Sequence, residues 1–322
     1  MCSSTAMNLI KGRKNFVINY FNNDLGFKRG FYCDDENLKH PYVPQSTVPT
    51  STCLFIWVCL ATLFITKVEV IRSYALASKQ QRRSKPIKDN STPWIAVELY
   101  RYFGFFALGA LLTLLFTELA KYTIGRLRPH YLTVCGPKLT SDLCKDEFGY
   151  EKFVTADEKD ICENVFGENP TYTEKQLHEA RLSFLSGHSS FSFYCGMFLI
   201  IYLQARLNNF PRINNTCLRR FARSIKIVRP FLQFGMIILS FWVSLTRISD
   251  YFHHPLDVIM GAIVGITFAV ITLIVIGDVF FKKSSFWRTT VKCNGQFDSM
   301  NSNVPLRSFK QDNQGGLLES FT

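Results

Sequence analysis

Five stretches of this chain are nearly free of charge and long enough to cross an apolar slab: roughly residues 50–71, 100–120, 189–206, 230–246 and 258–281. A bilayer core about 30 Å thick takes about 20 residues of helix rising about 1.5 Å each, so every stretch predicts a membrane-spanning helix. The last is the most continuous, from Val258 to Phe281, and its small residues Gly261, Ala262 and Gly265 predict close approach of a neighbouring helix. The first ends near Lys67 and Glu69, whose long side chains can reach the headgroups. The pattern predicts an all-α, polytopic transmembrane bundle over 50–281. A polar extracytoplasmic segment, 1–49, precedes it, with no apolar core long enough for a cleavable signal peptide. The tail 282–322, rich in Ser, Asn, Gln and Gly, is expected to be disordered in the cytosol.

Composition agrees with the pattern. Of 322 residues, 47% are hydrophobic, 15% aromatic and 19% charged, which excludes a chain disordered throughout. The net charge of +12 sits in the loops, where it orients helices in a membrane, so nucleic acid is excluded as a partner. Arg72, Lys79, Arg82, Arg83, Lys85 and Lys88 lie between the first two spans with the single acid Asp89. Arg206, Arg212, Arg219, Arg220, Arg223, Lys226 and Arg229 lie between the third and fourth with none. Both loops are therefore expected on the cytoplasmic side. The long connection 130–182 carries eleven acids against six bases and is expected outside, as is the amino terminus.

Cys33, Cys135, Cys144 and Cys162 all fall in regions expected outside, so one or two disulfides in an oxidising compartment are predicted among three pairings. Cys53, Cys59 and Cys195 lie in spans and read as small buried hydrophobes. No metal-ligand spacing appears. The sequons at Asn90 and Asn214 fall in loops expected inside and should stay unmodified.

Three polar clusters remain: Lys121 to His130 (KYTIGRLRPH); Ser186-Gly187-His188; and Thr246-Arg247 with His253-His254 and Asp257. Alternating topology puts all three at the outer membrane face, and nothing in hydropathy alone requires that convergence. Lys121, Arg128 and Arg247 supply three fixed cations, and Gly187 lets a backbone N–H approach an anion, so a phosphate monoester is the natural guest. Side chains then neutralise charge as metal ions do elsewhere, and no metal or cofactor need be invoked. An imidazole with an ordinary pKa of about 6.5 is largely neutral, hence nucleophilic, at pH 7, so two of them allow a nucleophile and an acid. His253 is expected as nucleophile and His188 as acid. Asp257, four residues after His253, is expected to share a helical face with it and hold its other ring nitrogen. His254 is the second candidate nucleophile; His130 reads as a neighbour shaping the site, Arg126 as an interfacial anchor, and Glu118 as the structural mate of Lys121.

Lys, six residues, Arg-Pro; then Ser-Gly-His; then Arg, five residues, His, three residues, Asp: this order resembles the type 2 phosphatidic acid phosphatase superfamily. GFYCDDENLKHPY, KYTIGRLRPHYLTVC, RLSFLSGHSSFSFYC and RISDYFHHPLDV look more narrowly like the animal lipid phosphate phosphatases, including the insect wunen-like members. The resemblance runs from about Gly26 to Lys283. It implies a phosphatase/haloperoxidase-like core of six membrane helices, of which five are seen here. It also implies magnesium-independent removal of phosphate from phosphatidate, lysophosphatidate, sphingosine 1-phosphate or ceramide 1-phosphate. The expected setting is the plasma membrane, with the site on its extracellular or luminal face, in a homo-oligomer. By position, Lys121, Arg128 and Arg247 would hold the phosphate with Ser186 and Gly187 assisting. His253 would become phosphohistidine, His188 would protonate the lipid alcohol, and Asp257 would support His253. A related membrane phosphotransferase and a catalytically inactive lipid-binding or signalling relative are the competing readings.

Overall fold

The computed structural model describes residues 27–80, 94–138, 140–155, 157–208 and 216–276. The expectations for residues 1–26, the two sequons, the tail 282–322 and the loop residues Arg82, Arg83, Lys85, Lys88 and Arg212 lie outside the described residues. Five long helices carry the five predicted spans: α1 (Thr50–Gln80), α2 (Trp94–Ile124), α3 (Gly187–Asn208), α4 (Thr216–Ser249) and α5 (Pro255–Val270). A π-helical stretch, Ile271–Ile276, continues α5. Three boundaries differ from the sequence pattern. Helix α1 continues past residue 71 to Gln80, α2 starts well before residue 100, and α4 runs through Pro230 instead of beginning there.

Helix α3 is the least apolar of the five and the most buried, with 72% of its span covered against 22–39% for the others. The two facts have one cause, because a helix surrounded by other helices has no lipid to face. Its small polar residues become the joints. Ser192 accepts at Oγ from Trp57 Nε1 of α1 (3.1 Å), and its carbonyl accepts from Ser240 of α4 (3.0 Å). Ser190 meets Thr117 of α2 at 2.9 Å, and the Tyr194 hydroxyl donates to the Phe106 carbonyl at 2.8 Å. Against α5 the joint is steric: a Cβ on Gly261 would lie 2.8 Å from the Ser186 carbonyl, and one on Gly265 would overlap the Ser190 carbonyl.

The Glu69 side chain turns into the bundle instead of reaching outwards. It is 2% exposed at the end of the bundle away from the polar lobe, where Arg206 of α3 donates to it from Nε (2.7 Å) and Tyr202 from its hydroxyl (2.7 Å). Arg206 also reaches Glu98 of α2 at 3.1 Å, so one guanidinium clamps three helices. A carboxylate buried this way is held because removing either charge would strand the other.

At the opposite end, residues 27–49 and 125–186 form a polar lobe. Strand β1 (Phe31–Tyr32) pairs antiparallel with β2 (Phe153–Val154), Phe31 opposite Val154. Around this pair Leu38, Leu127, Tyr131, Leu132, Val165 and Leu177 close a second core separate from that of the bundle. The four grouped cysteines form Cys33–Cys144 and Cys135–Cys162, both within the lobe. Cys53 and Cys195 are buried as expected, while Cys59 is exposed on the bundle surface.

The α3–α5 contact sets a stability test. Gly265→Ala, which forces a methyl onto the Ser190 carbonyl, should cost about 1–3 kcal/mol, seen as a lower melting temperature in detergent. Gly104→Ala, with nothing within 4 Å of the new methyl, should not lower it. Equal melting temperatures for the two variants would refute the close packing.

Candidate active site

Four helix ends meet beneath the lobe. Helix α2 closes at Gly125, whose φ of +56° suits glycine and whose N–H returns to the Lys121 carbonyl at 3.0 Å. The chain then runs beside the approach to α3: Arg128 N donates to Ala180 O (2.7 Å) and Ser183 N to Arg126 O (2.9 Å). Ser186 N donates to Asp257 O at 3.2 Å, tying the start of α3 to the start of α5. Between α4 and α5, Tyr251 sits at φ +57°, a strained conformation for a bulky side chain, and turns Phe252 and His253 back so that both N–H groups reach the Arg247 carbonyl (3.1 and 3.2 Å). The buried His130 ring holds this turn, donating from Nδ1 to Tyr251 O at 2.9 Å.

Lys121, Arg128, Arg247, Gly187, His188 and His253 line one cavity of ≈ 360 Å³. The three predicted cations therefore share a single space. Arg128 and Arg247 both stack near the Phe252 ring, Cζ to centroid 5.4 and 5.7 Å. Burial lowers the Arg128 pKa to about 10, which leaves it charged at neutral pH. Lys121 pairs with Glu118 at 2.6 Å, as the helical register suggested. The Ser186 hydroxyl is buried with no hydrogen-bond partner among the described residues, and Ser186, unlike Gly187 next to it, does not line this cavity. A Cβ on Gly187 would stand 3.5 Å from Lys121 Nζ, in the space an anion would take.

Two histidines reach this cavity and one does not. His253 Nδ1 lies 2.6 Å from the Ser183 carbonyl; a carbonyl only accepts, so the proton is on Nδ1 and the lone pair on Nε2. Burial, reinforced by the Arg128 charge, holds the His253 pKa well below the ordinary imidazole value, keeping Nε2 unprotonated at neutral pH. His188 Nε2 donates to the Val48 carbonyl at 3.1 Å, leaving Nδ1 for proton exchange. His254 lines a different pocket, with Arg126, Phe184 and Leu256, which separates it from the three cations.

Asp257 departs from expectation. It does not hold the His253 ring; it accepts from the Ser183 hydroxyl (2.5 Å), Arg126 Nη1 (2.7 Å) and the His254 N–H (3.1 Å). The reason is local. Helix α5 starts at Pro255 with His254 as its extended N-cap, so the spacing from His253 to Asp257 is not a helical turn. Ser183 bridges the two: its hydroxyl donates to Asp257, and its carbonyl accepts from His253 Nδ1–H. Arg126 is accordingly part of this network and not merely an anchor. Ser183 and Arg126 lie inside the stretches RLSFLSGHSSFSFYC and KYTIGRLRPHYLTVC, and that placement was the available signal. Asp250, which pairs with Arg247 at 3.0 Å, likewise carried an i,i+3 spacing that sequence reasoning left unused.

The buried histidines set a pH dependence. Burial pushes the His130 pKa from 6.5 to about 4, so protons bind the unfolded chain in preference below pH 6.5 and stability falls as pH drops towards 4. Between pH 7 and pH 5 His130 alone should account for about 2 kcal/mol of lost stability. In unfolding curves at both pH values His130→Gln should remove that share; an unchanged difference would show that the ring is not buried neutral.

Residues 102–280 match the PAP2 superfamily. The chain is 36% identical over 265 residues to a putative phosphatidate phosphatase of Drosophila melanogaster, covering 80% of this chain and 64% of that protein, so it spans a little under two thirds of that relative. It is 36% identical over 263 residues to phospholipid phosphatase 1 of Rattus norvegicus (79% of this chain, 77% of that protein). With phospholipid phosphatase 2 of Homo sapiens the identity is 34% over 254 residues (79% and 75%). No solved structure matches. With the family pattern covering more than half of the sequence and relatives aligned over most of it, the chain belongs to the PAP2 superfamily.

Proposed function

We propose that this chain is an integral-membrane lipid phosphate phosphatase that works through a phosphohistidine on His253. One observation carries the proposal: three fixed cations and two imidazoles, drawn from separate segments of sequence, line a single cavity. Lys121, Arg128 and Arg247 bind the phosphate oxygens, with the Ser186 hydroxyl and the backbone at Gly187 as further donors. His253 Nε2 attacks phosphorus, the bond from phosphorus to the lipid oxygen breaks, and His188, entering the step as the imidazolium with its second proton on Nδ1, gives that proton to the departing alcohol. Water then attacks the phosphohistidine, His188 takes a water proton, and inorganic phosphate leaves with both rings restored. As Nε2 becomes bonded to phosphorus, positive charge develops on the ring. The Ser183 carbonyl meets it at Nδ1–H, and Asp257 steadies Ser183.

A lipid suits the cavity because Leu54 of α1, Leu114 of α2 and Phe191 of α3 continue its wall into the bundle. Phosphatidate, lysophosphatidate, sphingosine 1-phosphate and ceramide 1-phosphate all offer the monoester with an apolar chain. The names of the relatives, phosphatidate and phospholipid phosphatases, point the same way. An outward-facing site, at the plasma membrane, is supported by two disulfides in the lobe above it and by the basic stretches at the other helix ends. Side-chain cations supply the charge neutralisation, which makes the reaction magnesium-independent.

Purified protein in detergent micelles should release phosphate from phosphatidate with EDTA present, and His253→Ala should lower the rate on the order of 1,000-fold or more while His254→Ala retains far more activity. Wild-type release by His253→Ala would remove the nucleophile assignment, and a strict magnesium requirement would remove the metal-free one. Glu168→Cys, exposed in the lobe, should react with an impermeant maleimide on intact cells; labelling only after permeabilisation would reverse the orientation.

A further inference from the structure

The segment between β1 and α1 looks in sequence like a polar connector. In the structure it is a strap bonded to residues of all three polar clusters. His40 N donates to the carbonyl of Pro129, next to Arg128, at 3.0 Å. The Ser46 hydroxyl accepts from Arg247 Nη1 at 2.7 Å. Thr47 donates twice to Asp250, from its backbone N–H (2.9 Å) and its hydroxyl (2.7 Å), and the Val48 carbonyl accepts from His188. Tyr42, Pro44, Ser46 and Pro49 line the cavity itself.

Arg247 is where these bonds converge. It is 2% exposed, and its guanidinium has five N–H groups. Nε and Nη2 donate to Thr246 and Asp250, and one Nη1 hydrogen goes to Ser46, which leaves the other Nη1 hydrogen for a phosphate oxygen. Asp250, which orients Nη2, is itself oriented by Thr47. A long side chain with four rotatable bonds keeps a single donor aimed at one place only if its other donors are tied.

We infer that Ser46, Thr47 and Asp250 are positioning residues for Arg247, so that the strap before α1 sets the affinity of the site for the phosphoryl group. The inference rests on the phosphatase reading above. In it Ser46 and Thr47 touch no reacting atom; they act through Arg247. Arg247 contacts the phosphoryl oxygens in substrate and transition state alike, so loosening it raises KM and leaves kcat nearly unchanged.

The test uses full-length protein in mixed micelles, with inorganic phosphate as the competitive probe alongside phosphatidate hydrolysis. Thr47→Val and Ser46→Ala should each weaken inhibition by inorganic phosphate about five- to ten-fold, the size of one ordinary hydrogen bond lost, with KM rising in parallel. Thr47→Ser, which keeps the hydroxyl, should retain the wild-type inhibition constant. A merely structural strap would lower the yield of folded enzyme and its apparent kcat without changing that constant. Should Thr47→Val fail to fold, Ser46→Ala against wild type decides alone. Inhibition constants unchanged within about two-fold in the folded variants, with wild type active, overturn the positioning role only; a wild type that releases no phosphate overturns the phosphatase reading and the inference with it.

Discussion

Several positive charges gathered in one cavity repel one another, and their neighbours answer that constraint. Lys121 has Glu118, Arg247 has Asp250, and Arg126 has Asp257. Arg128 has no carboxylate in contact among the described residues; it lies against the Phe252 ring, with the Leu182 carbonyl at 3.5 Å. A cluster balanced this way tolerates an empty state while leaving its least compensated member available to an anion. The same field acts on His253, because a proton on that ring would add a further like charge, and this is part of why the imidazole stays neutral.

What could be seen in the sequence was whatever a single solvent or a single reaction dictates residue by residue. Lipid demands about 20 apolar residues per crossing, so all five spans stood out. Phosphate chemistry demands cations and imidazoles at fixed places, so Lys121, Arg128, Arg247, His188 and His253 could be picked out before any geometry. Partnerships across distant segments could not. The salt bridge from Arg206 to Glu69 spans 137 residues, and neither position advertises the other. The position of Asp257 was misjudged for a reason that was present: Pro255 is a strong helix-start residue, and its place two residues after His253 argues that His253 lies before the helix. The pairing of Phe31 with Val154 had still less signal, since two-residue strands carry no periodicity.

Helix α3 links these scales. Its serines, which weaken its hydropathy, are what let it act as the shared wall of α1, α2 and α4, and its first residues are the Gly187-His188 end of the site. Rigidity at the bundle centre is thereby delivered to the catalytic end, where an error of about 1 Å in a reacting group can cost a hundred-fold in rate.

The strap has a further consequence, for biosynthesis. Ser46 and Thr47 emerge from the ribosome early, but Arg247 and Asp250, to which they bond, lie 201 and 203 residues downstream. Cys33 must likewise wait 111 residues for Cys144. During translation the segment can pair with the lobe through β2, Pro129 and Cys144 first, while Ser46 and Thr47 have no partner in Arg247 or Asp250 until α4 has been made. A polypeptide that stops short of α4 therefore leaves these two side chains without their distal partners, whatever the lobe has already formed.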